Sequence, residues 1–374
     1  MKIVIAPDSF KGSLSAAVAA RAVEKGIKKK YGSAVQTVCL PIADGGEGTL
    51  EALVPSENRI RIWAQNPLGD LMEVEYGARG DTAVIEMAAA AGLTLIPEQR
   101  RHAGKTTTFG VGQMILDALS RGYRKILLTV GGSATNDGGA GMFAALGAKF
   151  LDENGHSFVP TGFTLKQVVS LDLSDLPASF YGTQFAIATD VTNPLTGPTG
   201  AACVYGPQKG GTVTELLEID LGMRHYADVL EKTGDRAVRD LPGCGAGGGI
   251  AAPLLAFGKA EMQKGIELVL QTADFDRVIA DADVVITGEG KLDAQSFSGK
   301  TISGVVSHAA RVHKPVVCVV GCYDEGALSA LPDNVKGVLS ARHLALSDDD
   351  SMQNAADYLE ELAGTELYDI LKKQ

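Results

Sequence analysis

The sequence predicts an α/β protein with a parallel sheet covered by helices and a second, inserted domain that carries antiparallel strands. Three observations predict it. The chain opens with a strand–helix–strand–helix rhythm, the stretch after Ser56 switches to alternating polar and apolar residues, and the first rhythm returns from Phe275. A length of 374 residues suits two domains. The simplest layout joins residues 1–56 and 258–374 into one α/β domain and inserts residues 57–257 as the other.

In chain order, Lys2–Ala6 reads as a strand and Pro7-Asp8-Ser9-Phe10-Lys11-Gly12 as its loop. Ser13 or Ser15 caps a helix to about Lys30, with Leu14, Val18, Ala22 and Ile27 near one face. Lys28-Lys29-Lys30 suits the negative end of its dipole. Val35–Leu40 is the next strand; it empties into Pro41-Ile42-Ala43-Asp44-Gly45-Gly46-Glu47-Gly48, and Thr49 can cap another helix. Arg59–Trp63, Met72–Tyr76 and Thr82–Met87 read as antiparallel strands with one wet face. A helix at Thr107–Ser120 and a buried strand at Ile126–Val130 lead to Gly131-Gly132-Ser133-Ala134-Thr135-Asn136-Asp137-Gly138-Gly139-Ala140-Gly141. Lys149–Leu151 and His156–Val159 form a hairpin around Asp152-Glu153-Asn154-Gly155. Phe185–Ala188 is a strand ending in Thr189-Asp190-Val191-Thr192-Asn193-Pro194-Leu195. Thr212 to about Lys232 is one long helix, and Ile250–Phe257 a shorter one. Val284–Thr287 and Val316–Val320 are buried strands, Thr301–Val312 a helix, and Asp349–Lys373 a helical tail.

The balance of charge is acidic, 45 Asp+Glu against 34 Lys+Arg, and no basic stripe is present. Nucleic acid is therefore not expected as a partner. The start is interrupted too soon for a signal peptide, and no apolar run is long enough to span a bilayer. The five cysteines are odd in number and lack CxxC spacing, as expected of reduced residues in a cytoplasm. The six histidines show no metal-like pairing.

The chemistry is expected in the loops. The glycine run from Gly131 has the strand–loop–helix arrangement that aims backbone N–H groups at an anion; the alternative is a tight turn needing positive φ. Asp8, Asp44, Asp137, Asp190, Glu289 and Asp293 all follow strands, where ligands of parallel sheets gather. Lys11, Lys209, Lys291 and Lys300 lie in the same or nearby loops. Carboxylates, lysines and anion-binding glycines are the parts of a phosphoryl-transfer site, although each Asp alone can be an N-cap and each Lys a solvated surface group. Two motifs mislead. Gly243-x-Gly245-x-x-Gly248 matches a dinucleotide fingerprint but follows Asp240-Leu241-Pro242 rather than a strand. Gly299-Lys300-Thr301 ends like a phosphate-binding P-loop whose first glycine is replaced by Ala294.

These blocks, taken together, resemble the bacterial type I glycerate kinases over the whole chain. The carrying segments are Ala6–Ser15, Pro41–Thr49, Gly131–Gly141, Asp190–Leu195 with Gly206–Gly210, and Ile286–Gly290 leading to Asp293, Gln295, Ser296, Gly299 and Lys300. The resemblance implies one Rossmann- or flavodoxin-like domain and a kinase that uses ATP and Mg²⁺ to phosphorylate D-glycerate, mostly to 2-phosphoglycerate, in glycerate and glyoxylate breakdown. On that reading Asp190 is the general base, because an Asp before a Pro-held turn is well fixed, and Asp137 is its rival. Lys11 and Lys291 neutralise phosphate charge. Asp44 or Glu289 holds Mg²⁺. Asp8, Ser9, Gly45, Gly46, Ser133, Thr135, Asn136, Asp137, Asn193 and Lys209 orient substrate hydroxyls or phosphate. An NAD-dependent hydroxy-acid dehydrogenase and a non-catalytic sugar-acid-binding protein are the alternatives. A homo-oligomer is compatible with the sequence, which names no interface.

Overall fold

The computed structural model describes residues 1–293, 296–297, 300–367 and 370. Its contacts divide the chain into two compact units, Met1–Leu53 with Ile266–Gln374, and Val54–Gly265. No helix among the described residues is long and apolar enough to cross a membrane.

The first unit is built on a five-stranded, all-parallel sheet in the order Val335–Ser340, Val316–Val320, Val284–Thr287, Lys2–Ile5, Gln36–Cys39. Val316–Val320 and Val284–Thr287 are buried along their whole length, as inner strands covered on both faces must be. Val335–Ser340 has no counterpart among the expected elements. It is an edge strand, and Lys336 and Gly337 break its apolar pattern.

The first helix spans Ala16–Tyr31, and its N-cap Ser15 accepts a hydrogen bond from the Val18 N–H. Its buried face differs from the expected one. Val18 is 44% exposed, while Ala19, Ala20, Val23, Gly26 and Ile27 are buried. The small residues matter because helix Ala355–Gly364 lies against them: a Cβ on Gly26 would stand 2.0 Å from the Glu360 carbonyl oxygen. Gly26→Ala should therefore destabilise the protein by about 1–3 kcal/mol, the usual penalty for overpacking; urea unfolding monitored by circular dichroism measures it. The tail is two helices, Asp348–Gln353 and Ala355–Gly364, separated at Asn354. The end of the expected single helix, residues 371–373, lies outside the described residues.

The second unit holds a six-stranded sheet in the order Lys259–Gln263, Gln184–Ala188, Lys125–Thr129, Thr82–Glu86, Leu71–Arg79, Arg59–Gln65. The first four strands are parallel and the last two antiparallel. Thr82–Glu86 is thus antiparallel to one neighbour and parallel to the other. Strand Lys259–Gln263 was hidden by its charges, Lys259 and Glu261, and it extends this unit to Gly265. A small antiparallel sheet adds the expected hairpin, Lys149–Leu151 with Ser157–Phe158, and a third strand, Ser170–Asp172. Helix Val213–Thr233 begins in a reciprocal capping box between Thr212 and Glu215. The core between these elements contains Phe143, Phe150, Phe180, Phe185 and Tyr226.

Candidate functional site

In the first unit, three adjacent strands end side by side, and backbone hydrogen bonds lace their loops together. Asp8 N donates to Gly288 O at 2.8 Å, Gly321 N to Glu289 O at 3.2 Å and Cys322 N to Gly290 O at 3.0 Å. Only glycine fits at 288, where a Cβ would lie 1.8 Å from the Val319 carbonyl oxygen. Above these ends opens a pocket of about 450 Å³, lined by Asp8, Ser9, Lys11, Asp44, Glu289, Lys291, Lys300 and Arg342.

Each acidic group in the pocket is held differently. Asp8 is 8% exposed. Its Oδ1 accepts from Ser9 N at 2.6 Å and its Oδ2 from Thr301 Oγ1 at 2.5 Å. Burial pushes its carboxyl above the usual range, Thr301 and Ser9 pull it back, and the Asp44 charge adds to the rise. Glu289 is also pushed up, first by burial; Ser296 opposes the shift, Asp8 reinforces it and Lys300 opposes it. Its Oε1 is buried with no hydrogen-bond partner among the described residues. Asp44 Oδ1 accepts from Gly46 N at 2.9 Å, an Asx turn that Gly45 completes with a φ of +87°.

The cations differ in freedom. Lys11 is exposed. Lys291 pairs with Asp324 at 2.9 Å, and that hydrogen bond and charge hold its ammonium above the ordinary range. Lys300 precedes helix Thr301–Arg311. Arg342 is oriented by Asp348 Oδ1 at 2.6 Å and by the Ala345 carbonyl at 2.9 Å. Arg342 and Thr301 are absent from the sequence-derived site. Arg342 lies two residues past the end of the unforeseen strand Val335–Ser340, and recognising that strand end would have pointed to it.

In the second unit the Gly131–Gly141 run is mostly buried. Only Gly131 and Gly132 are exposed; residues 133–140 are all buried. Asp137 is a structural pin. Its Oδ2 accepts from Thr108 N at 2.7 Å, Thr108 Oγ1 at 2.8 Å and Gly141 N at 3.2 Å, and its Oδ1 from Gly139 N at 3.1 Å. Burial pushes its carboxyl up and the four donors pull it back. It is thus enclosed by protein donors. Ser133 and Asn136 are buried with it; Asn136 Nδ2 donates to Ala103 O at 3.4 Å. Thr135 Oγ1 is buried with no hydrogen-bond partner among the described residues.

Lys209 is likewise not at the surface. It is 1% exposed, and its Nζ donates to Thr135 O at 2.6 Å and Asn136 Oδ1 at 3.4 Å. It braces the loop from inside. Burial pushes its ammonium down to about 7, opposed by the Asp137 charge. In the unfolded chain a lysine titrates near ~10.4. Between these values the unfolded chain binds more protons, so this contribution to stability rises with pH. It is complete above the unfolded value and lost as pH falls toward the folded one. Wild type measured against Lys209→Met by urea unfolding should gain up to about 1.4 kcal/mol per pH unit through this window. Parallel profiles for the two proteins would contradict the burial argument.

Asp190 and Asn193 lie at the exposed end of strand Gln184–Ala188. Asp190 is exposed, and its Oδ1 accepts from Gly265 N at 3.1 Å. Asn193 organises its own loop: Nδ2 donates to Thr199 O at 2.7 Å, and Oδ1 accepts from Tyr205 Oη at 2.6 Å. Its carbonyl accepts from Gly243 N and Gly245 N at 3.1 and 3.0 Å. The Gly243–Gly249 cluster therefore has a packing explanation. A Cβ at Gly248 would be 1.9 Å from Thr135 O, and one at Gly245 would be 2.3 Å from Pro194 O. These glycines let three loops touch, and no strand precedes them as a dinucleotide fingerprint requires.

Comparison with known proteins shows the family of the chain. The profile of the Glycerate kinase family matches residues 3–370. A glycerate kinase of Bacillus subtilis is 44% identical over 368 residues, covering 97% of this chain and 96% of its own. A glycerate 2-kinase of Escherichia coli is 46% identical over 325 residues, covering 86% and 85%. The crystal structure of a protein described as a glycerate kinase 2, from Salmonella typhimurium LT2, superposes with a TM-score of 0.89. It is 39% identical and covers 100% of this chain and 98% of its own.

Proposed function

The chain belongs to the glycerate kinase family and is an ATP-dependent phosphotransferase with an alcohol acceptor, and from that premise we propose that it transfers the γ-phosphate to the 2-hydroxyl of D-glycerate, giving 2-phosphoglycerate. The observation that carries the proposal is the first unit's pocket, where the carboxylates Asp8, Asp44 and Glu289 meet four cations, one of them held by a fourth carboxylate, Asp348. Phosphoryl transfer is mostly positioning and charge neutralisation, and this is the set of side chains it needs.

Lys11, Lys291, Lys300 and Arg342 would bind phosphate oxygens and offset the charge that spreads over the transferring group. Asp190 would accept the proton of the attacking hydroxyl, with Asn193 holding the loop that carries it. Ser9, Gly45 and Gly46 would supply donors to phosphate. Ser133, Thr135 and Asn136 would act by shaping their loop.

Mg²⁺ fits the pocket. Glu289 Oε1 is a buried oxygen lacking a donor, the Asp44 charge helps raise the Asp8 carboxyl, and the Asp8 charge helps raise that of Glu289. Among the described residues no three His, Cys, Asp or Glu groups form a ready-made cage. That suits an ion that keeps several waters and binds through one or two carboxylates plus phosphates. Asp44 and Glu289 would hold it, and the bound ion would supply charge neutralisation between the phosphates. Glu289→Gln should raise the Mg²⁺ concentration for half-maximal rate by roughly tenfold, because a charged ligand becomes neutral. An unchanged Mg²⁺ requirement would remove Glu289 from the metal.

The test of the whole reading is ADP release with D-glycerate, with and without Mg²⁺, followed by conversion of the product by enolase. Enolase acts on 2-phosphoglycerate directly, so failure of that second step alone would move the phosphate to the other hydroxyl. Turnover that needs NAD(P), or binding of glycerate without ADP release, would favour a dehydrogenase or a sensor. The same reading places the enzyme in the cytoplasm, in organic-acid breakdown through glycerate and glyoxylate; its five free cysteines suit a reducing compartment.

A further inference from the structure

We propose that the edge strand Arg59–Gln65 is a self-association surface, on which a second copy of this chain pairs antiparallel about a two-fold axis at Ile62, setting Arg61 of each copy opposite Trp63 of the other. The strand ends the six-stranded sheet and pairs with Leu71–Arg79 on one side only. Its register is unbroken over seven residues, with no bulge and no proline. Of the usual devices that keep sheet edges apart it has only the charges of Arg59 and Arg61, which Glu75 offsets.

The free edge can be read atom by atom. Asn66 N donates to Asp70 O in the turn that continues this ladder, and hydrogen-bonded pairs recur every second residue. Residues 60, 62 and 64 therefore bond inward to Leu71–Arg79, and the backbone groups of Arg59, Arg61, Trp63 and Gln65 point outward. Gln65 is closed: its N–H donates to Gln113 Oε1 at 2.8 Å, and its carbonyl is crowded by Gly110, where a Cβ would stand 1.9 Å away. The outward groups of Arg61 and Trp63 have no hydrogen-bond partner among the described residues and form the middle of the open edge.

Three registers could satisfy them. Centring on Arg61 stacks two guanidiniums, which like-charge repulsion disfavours. Centring on Trp63 forces Arg61 onto the closed Gln65, whereas centring on Ile62 leaves only Arg59, at the strand's end, opposite it. Centring on Ile62 pairs Arg61 with Trp63 twice, so each ring meets a cation. The side chains agree. Trp63 is 69% and Leu71 66% exposed, an apolar pair on the wet face, while the Arg61 side chain is 67% exposed. Glu75 lies 3.2 Å from both Arg59 and Arg61, which offsets their charge within each copy. On the other face Ile60 and Ile62 pack against the core, so a second copy would extend that apolar layer as well. A surface that is its own complement under a two-fold rotation fits a second copy of this chain.

The test is sedimentation of the full chain, alongside Trp63→Lys and Trp63→Glu, with folding checked by circular dichroism. Trp63 is the chain's single tryptophan, so its fluorescence should shift to shorter wavelength with concentration in wild type. Wild type should sediment at twice the chain mass. Trp63→Lys sets an ammonium against Arg61 of the second copy and should sediment at the chain mass, with kcat per chain unchanged. Trp63→Glu sets a carboxylate there and should keep the doubled mass. Wild type at the chain mass, Trp63→Lys at the doubled mass, or Trp63→Glu at the chain mass would each overturn the proposal.

Discussion

Asp190→Asn is expected to lower kcat by a factor on the order of 10²–10⁴, the usual loss when a general base is removed, with KM and folding little changed. The argument rests on placement. Asp190 follows strand Gln184–Ala188, is exposed, and has Oδ1 oriented by the Gly265 N–H at 3.1 Å. Asparagine keeps an oxygen for that N–H, so the loop should hold while proton acceptance is lost. Stopped-flow or coupled ADP release gives kcat, and the urea midpoint checks the fold. Near-normal turnover would remove Asp190 from the mechanism and leave the buried Asp8, whose carboxyl is pushed up by desolvation, as the next candidate.

Asp137→Ala should act on stability instead. Four donors converge on this carboxylate, three of them backbone N–H groups, in a site with no exposure. Each donor left unsatisfied costs about 1–3 kcal/mol, and removing a buried charge partner is among the larger single losses, roughly 3–5 kcal/mol. That approaches the whole stability of many domains. Asp137→Asn keeps one acceptor oxygen and should lose less. Urea unfolding reads both. An Asp137→Ala protein of unchanged stability but no activity would restore the ligand role expected from the sequence.

The two aspartates show where residue-level reading runs out. Both follow a strand, and the Pro-held turn after Asp190 is the local feature that favours it over Asp137. Nothing local shows which of them is enclosed. Asp137 is enclosed because Thr108, from a distant segment, supplies two of its donors. The buried position of Lys209 was equally hidden, because its partner Thr135 is far away in sequence. By contrast Asp8, Ser9, Lys11, Asp44, Glu289 and Lys291 line one pocket, as their common position after parallel strands suggested. Arg342 was missed for a traceable reason: its strand carries a lysine and a glycine, so its end gave no signal.

What the amino-acid order determined alone was the α/β class, the buried strands Val284–Thr287 and Val316–Val320, a serine cap at Ser13 or Ser15, and the membership carried by its loop motifs. Those features depend on periodicity, capping and turn chemistry within a few residues of each other. What only the tertiary structure decided was which polar loop residues meet open space and which are sealed. A carboxylate's availability depends on the donors that surround it, and those donors arrive from segments whose approach, through close contacts such as Gly248 against Thr135, no local pattern records.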